Sequence, residues 1–337
     1  MKQPSQGRKQ PIYMKWIAIG AFTIVLLSLP HLIGAYITSI FVFILMYSPI
    51  LMGLALLVGW GGQFSLGQAT FFGLGAYIST LLSIQFGISP WLTLVLSAAL
   101  TGGFAYLLGR PLLSVPGPTI AAVTFGCGWV FWALVSRLEI TGGHDGISGI
   151  PRFSIGSFVL NQDYHLYYLL LVVVCIIFLL NKNLVNSKLG KETRAMDTFT
   201  GGSILAAKSL AVDTGKIRTQ LFALAATYAA IAGSIYAHYI THIHPHPFDP
   251  WANILFLLLV VLGGARSLWG GIAGAAAYFV ILEIISATVG RIAPAGWQFL
   301  TFGIVVTLCL LFLPGGITGS LFRIRQWWKE RASSHMK

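Results

Sequence analysis

The sequence predicts an all-α polytopic membrane protein of about ten transmembrane helices, within a range of eight to eleven, with both termini cytoplasmic. Three observations carry that expectation. Hydrophobic residues make up 56% of the 337 and charged residues only 9%, against roughly 25% charged in a soluble domain. The apolar residues fall in long runs, and a bilayer core about 30 Å thick takes roughly 20 of them per helix, because every backbone N–H and C=O must be satisfied within the segment. The 21 Lys and Arg against 9 Asp and Glu give a net charge of +12. They gather in three short segments between apolar runs, which reads as a topology signal in a lipid-embedded chain and not as a nucleic-acid surface.

The first expected span, 16–34, follows a basic segment with Lys2, Arg8, Lys9 and Lys15. Many apolar runs come after it, so it reads as a retained span and not a cleaved signal peptide. Four more follow at 37–58, 64–86, 90–109 and 112–136, then a sixth at 165–181. A hydrophilic loop comes next, carrying Lys182, Lys188, Lys191, Arg194, Lys208, Lys216 and Arg218. Spans at 219–241, 251–264, 270–289 and 297–314 complete the set, the eighth being short for a full crossing. Arg323, Arg325, Lys329, Arg331 and Lys337 make the tail basic, and Trp327 and Trp328 suit an anchor at headgroup level. Short cytoplasmic loops are enriched in Lys and Arg. Ten crossings put all three basic segments inside and leave 137–164 and 242–250 outside. The organisation is therefore a cytoplasmic segment 1–15, one transmembrane domain 16–314 containing the long cytoplasmic loop 186–216, and a basic cytoplasmic tail 315–337. Cys127, Cys175 and Cys309 lie inside apolar runs, with no spacing that implies a disulfide or zinc site.

Two segments share the pattern Gly-Gly-x-x-Ser-Leu: Gly61 to Leu66 and Gly263 to Leu268. Gly-interrupted apolar segments in matching parts of a chain point to a transporter's binding region, because broken helices expose backbone groups to a cavity; plain helix packing is the competing reading. Small residues at helical spacing, Ala69, Gly73 and Ala76, then Gly271, Gly274 and Ala275, predict close helix approach. Gln63, Ser65, Gln68, Thr70, Thr124 and Ser267 are the polar groups that would line a pathway if they face inward. Glu283, the acidic residue well inside an expected span, completes the expected pathway set, and a structural pair with Arg266 or Arg291 is the competing reading. His238, His242, His244 and His246 crowd the end of the seventh span; imidazoles can bind metal, but two prolines lock the loop and no Cys is near, which favours a solvated outer loop. Gly190-Lys191 is followed by Glu192 and Gly215-Lys216 by Ile217, so there is no phosphate-binding loop. No nucleophile elbow or His-Glu-x-x-His pair occurs either. An enzyme is not expected, and no cofactor is implied.

In the 186–216 loop, Ser203 to Val212 alternates small and apolar residues at helical spacing, as a short helix offering one face to a partner or to anionic lipid would. With that segment and Gly61 to Tyr77 in view, the chain resembles the permeases of bacterial ABC importers for branched-chain amino acids. Their signature reads Gly-Gln-x-Ser-Leu-Gly-His-Ala-x-Phe-x-Gly-x-Gly-Ala-Tyr, with Gln68 here in the usual His position. Thr141 to Pro151, Ala232-Gly233, Tyr236 to His238 and Val260 to Ala275 are similar to the family in the same order, so the resemblance covers roughly 35–315. It implies an inner-membrane subunit paired with a second homologous permease, two cytoplasmic ATPases and an external solute-binding protein. It also implies that loop 186–216 couples to the ATPase, with Gly190, Arg194, Ala195, Ala206, Ala207 and Leu210 matching the pattern. The loop departs from that pattern over Asp197 to Leu205 and carries Ala211 where Gly is usual. Urea and short-amide permeases share the scaffold and are the nearest alternative. A secondary or metal-ion carrier using Glu283 or the histidines is the other.

Overall fold

The computed structural model describes residues 25–112, 117–196, 213–288, 296–313, 315–320 and 322–323. Among the described residues a helical stretch over 25–32 and a short helix over 316–320 flank ten longer helices: α1 Ala35–Gly59, α2 Gln68–Phe86, α3 Pro90–Leu112, α4 Gly117–Val135, α5 Asp163–Asn186, α6 Lys188–Met196, α7 Thr214–Ile240, α8 Pro250–Gly263, α9 Gly270–Thr288 and α10 Gly296–Phe312. Among the described residues seven helices are long and apolar enough to cross a bilayer, and the apolar stretches Thr119–Val135 and Pro250–Gly263 are shorter. The first expected span, 16–34, is described from residue 25 onward, where 25–32 is helical; the rest of it lies outside the described residues. Boundaries differ from expectation at several helices, α7 for one beginning at Thr214 and not at 219. The α5 helix continues to Asn186, and α2 begins at Gln68 because Gly61 to Gly67 is not helical.

The most deeply buried spans are α1 and α7, with α2, α3, α5 and α9 packed around them. Small residues set those approaches. A Cβ on Gly75 would overlap the Ala230 backbone, one on Gly233 the Phe72 carbonyl oxygen, and one on Gly271 would come within 2.5 Å of the Met52 amide nitrogen. Backbone-on-backbone contact of this kind replaces hydrophobic driving force, which lipid does not supply between helices. The periphery is apolar: Val95, Leu107, Val130, Val172, Ile176 and Leu311 are all exposed, far more than a soluble monomer tolerates.

The loops sort to the two ends of the bundle. At one end the strands β1 Ile147–Ser148 and β4 His242–Ile243 pair antiparallel, Ile147 opposite Ile243 and Ser148 opposite His242, joining the two segments expected outside. The β2 Ser154–Ile155 and β3 Phe158–Val159 hairpin lies beside them, and Trp91 Nε1 donates to the Ser154 carbonyl at 2.8 Å. Tyr239, at the end of α7, donates to Asp163 at the start of α5 over 2.9 Å. At the far end of α5, Val185 and Asn186 meet Trp60, the 264–269 loop and residues 315–322. Trp60, the 264–269 loop and the start of the tail thus lie opposite the β1–β4 end, as the charge rule requires.

Candidate functional site

Two helices start inside the bundle and not at its rim. The α2 helix starts after the non-helical Gly61–Gly67 segment, and Phe71 meets Phe222 edge-on at 5.3 Å between ring centres. Phe222 lies eight residues into α7 and Phe71 three residues into α2, so α2 begins roughly 8 Å inside the start of that helix. The α8 helix begins at the same depth. Asp249 caps it by accepting from Ala252 N at 2.9 Å, Pro250 fits the first helical position, and Phe248 packs on Phe72 at 5.1 Å between ring centres. Asn253 ties the two starts together, its Oδ1 accepting from Ala69 N at 2.7 Å. On α4, Thr124 Oγ1 accepts from Leu66 N at 2.9 Å and donates to the Ile120 carbonyl. Side chains thus satisfy backbone donors that the broken helix leaves over.

Five of the seven expected pathway residues belong to this region. Gln63, Ser65, Gln68, Thr70 and Thr124 are all buried. Among the described residues, both side-chain polar atoms of Gln63 and of Gln68, together with Ser65 Oγ, Thr70 Oγ1 and Asn253 Nδ2, are buried without a hydrogen-bond partner. Gly128 holds two of these together: a Cβ there would stand 3.2 Å from Asn253 Nδ2 and 3.3 Å from Thr70 Oγ1. Beside them lies a cavity of about 610 Å³ between α2, α3, α4 and α7. Its lining is almost wholly apolar, with Phe71, Leu74, Phe104, Leu108, Val130 and Phe222 among its walls; Gly67, Thr70 and Thr124 also line it, while Gln63, Ser65, Gln68 and Asn253 lie buried outside the lining. The cavity as it stands suits a hydrocarbon group, and a polar head would meet the amides only if the buried cluster around Thr70 opened toward it.

The other two expected pathway residues lie elsewhere. Ser267 sits in the loop at the Trp60 end, its Oγ accepting from Trp269 N at 3.2 Å. Glu283 is near the other end of the bundle, where both carboxylate oxygens accept from Tyr36 Oη at 2.9 and 2.8 Å. Tyr36 is exposed, so this pair faces the periphery and not the cavity. Arg266 precedes the far end of α9, about 20 Å along the axis from Glu283, and Arg291 is outside the described residues. Asn253 is a site residue the sequence reading missed; its position three residues after the Asp249-Pro250 helix start was the available signal.

Of the expected coupling residues, Gly190 sits where α6 turns back on α5, and a Cβ there would overlap the Val185 carbonyl. Arg194 and Ala195 are in α6, while Ala206, Ala207 and Leu210 lie outside the described residues. The histidines divide in two. His238 is buried, its Nδ1 donating to the Pro151 carbonyl at 2.6 Å and its Nε2 2.8 Å from Ser79 Oγ. His242, His244 and His246 form a row of stacked rings with centres 5.7 and 6.3 Å apart. Desolvation first, then the neighbouring His242 and His246, hold His244 below the usual imidazole pKa. Among the described residues no group of three or more His, Cys, Asp or Glu is placed to hold a metal ion.

The sequence profile of the family described as "Branched-chain amino acid transport system / permease component" matches residues 36–311, which includes the whole polar cluster. The chain belongs to this family. Two relatives of this permease carry the name "High-affinity branched-chain amino acid transport system permease protein LivM". The one from Salmonella typhimurium strain LT2 is 26% identical over 322 residues, spanning 88% of this chain and 73% of its own. The one from Escherichia coli strain K12 is 27% identical over the same length, with the same coverage. No solved structure matches the permease.

Proposed function

We propose that this permease is the membrane-spanning subunit of an ABC importer of the bacterial inner membrane, carrying branched-chain or related amino acids and energised by separate ATPase subunits. The observation that carries the reading is the set of orphaned amides and hydroxyls at the two buried helix starts beside an apolar cavity. Each unpartnered buried polar group costs about 1–3 kcal/mol, so a cluster of this size is hard to account for as packing alone. An amino acid head needs donors and acceptors without a strong fixed charge, which Gln63, Ser65, Gln68, Thr70 and Asn253 supply. A branched aliphatic side chain needs the apolar walls. The cavity opens between the exposed side chains of α3 and α4, the side on which a second homologous permease subunit would close it. Loop 186–216 would dock on one of two cytoplasmic ATPases, and a solute-binding protein would deliver substrate at the β1–β4 end. Urea, the competing substrate class, leaves the apolar walls without a role.

The test is uptake of labelled leucine and of labelled urea by cells expressing the importer with its partners. Gln68→Met keeps the volume and removes the orphaned amide; leucine uptake is expected to fall at least about tenfold while the melting temperature holds or rises. Ala206→Asp is expected to abolish uptake with membrane insertion intact. Undiminished leucine uptake in Gln68→Met would exclude this cluster from the pathway, and transport of urea in place of leucine would favour the short-amide reading.

A further inference from the structure

A second cavity, of about 530 Å³, lies at the end of the bundle opposite the β1–β4 pair. Trp60, Asn186, Arg266, Ser267, Trp269 and Thr318 are among its lining residues, and none of the lining residues is acidic. The transport reading does not use it. Two glycine-containing segments build its floor. Gly264, at φ +103°, and Gly316, at φ +70°, bring the 264–269 loop against the 316–320 helix, and Thr318 Oγ1 locks them by donating to the Gly263 carbonyl at 2.8 Å. Arg323 extends over this floor, with Nη2 3.1 Å from where a Cβ of Gly315 would stand. On α5, exposed Lys182 lies one turn before exposed Asn186, on the same face. Trp269 and Phe322 are more than half exposed, and Trp269 leans on Phe178 at 4.5 Å between ring centres.

Amphipathic rings at a helix end mark headgroup depth. Basic pockets between transmembrane helices at that depth bind anionic headgroups. Guanidinium groups and hydroxyls together match phosphate oxygens better than any neutral ligand. We propose that this cavity binds a phosphate group, and that its source is an anionic phospholipid whose headgroup contacts Arg266 and Arg323 while its chains run past Trp269 and Phe322. The site does not depend on what the permease transports; only the leaflet that supplies the lipid depends on the orientation. Because Val185 and Asn186 line it and α6 begins two residues later, an occupied site would brace the hinge from which the 186–216 loop departs.

Native mass spectrometry of the full chain in neutral detergent, titrated with an equimolar mixture of phosphatidylglycerol and phosphatidylcholine, tests this. Phosphatidylglycerol is expected to be retained over phosphatidylcholine, and Arg266→Gln or Arg323→Gln to lower that preference about fivefold each. Should Arg266→Gln not fold, Arg323→Gln and Lys182→Gln serve in its place, with melting temperature as the folding control. Failure of inorganic phosphate at millimolar concentration to displace the lipid is the expected result; displacement would assign the cavity to free phosphate and overturn the lipid source. Equal retention of both lipids, or an undiminished preference in the folded variants, would overturn the site.

Discussion

Asn253 does two jobs with one amide: its Oδ1 satisfies Ala69 N–H at the start of α2 while its Nδ2 stays unpaired among the polar groups beside Thr70. Replacement by Leu would strand a buried backbone donor, and the expected loss is about 1–3 kcal/mol of stability, read as a lower melting temperature in detergent. The contrast with Gln68→Met is diagnostic, because there the side chain has no partner to abandon. A melting temperature for Asn253→Leu at or above the native value would mean that α2 does not need this cap. His244 gives a residue-scale prediction of a different sort. Its folded-state pKa lies below the unfolded value of about 6.5, so between the two values the unfolded chain binds more protons and stability rises with pH. Above about pH 6.5 the residue carries no such penalty, and as pH falls below that value the penalty grows. Melting curves from pH 7.5 to 5.5 should therefore fall less steeply for His244→Gln than for the native chain. Parallel curves would dispose of the idea.

At the scale of elements, α2 and α7 are held together by glycine contacts that leave no room for a methyl group. Gly233→Ala would drive a Cβ into the Phe72 carbonyl oxygen, and overpacking of this kind costs about 1–3 kcal/mol or more. Because the same helix carries Gln68 and Thr70, the variant should lose both melting temperature and uptake. Gly103→Ala, on the neighbouring α3 with nothing within 4 Å of its Cβ position, should lose neither. A Gly233→Ala protein with native stability would show that the helices separate more readily than their packing implies. The same contacts explain which elements the sequence made legible. Long apolar runs predicted the seven long spans, because backbone satisfaction in lipid leaves few alternatives. The small-residue spacing at Gly271 and Gly274 correctly anticipated close approach to neighbouring backbones. The Gly-Gly-x-x-Ser-Leu segment holds Gln63 and Ser65 of the polar cluster, because glycines beside polar groups mark a broken helix, and Gln68, Thr70 and Thr124 stood out as polar groups within apolar runs. The second copy of the pattern, with Ser267, forms a loop at the bundle's end, away from the polar cluster. Composition alone does not encode depth in the membrane. Glu283 lies away from the cavity for a related reason: hydropathy locates a carboxylate along a helix but not around it, and here the partner is Tyr36 on α1, far away in sequence.

For the whole molecule, the decisive quantity is the sidedness of its two ends. The β1–β4 pair and the 154–159 hairpin lie at one end; Trp60, the 264–269 loop and the start of the tail lie at the other. Lys and Arg crowd the second set because translocating a short basic loop is unfavourable. An ATPase can dock only where ATP is, so the transport reading requires Lys188 to face the cytoplasm, and a delivering binding protein requires the hairpin to face outward. Ser157 is exposed in that hairpin, and the Lys188 side chain is 92% exposed at the start of α6. With Cys127, Cys175 and Cys309 replaced by Ala, single cysteines at Ser157→Cys and Lys188→Cys report the two faces. A membrane-impermeant maleimide applied to intact spheroplasts should label the first variant at once, and the second only after permeabilisation. The reverse pattern would invert the chain and remove both docking assignments together. Labelling of both positions in intact spheroplasts would bring both ends to one side, which an odd number of crossings between Ser157 and Lys188 forbids; between them lies the single span α5.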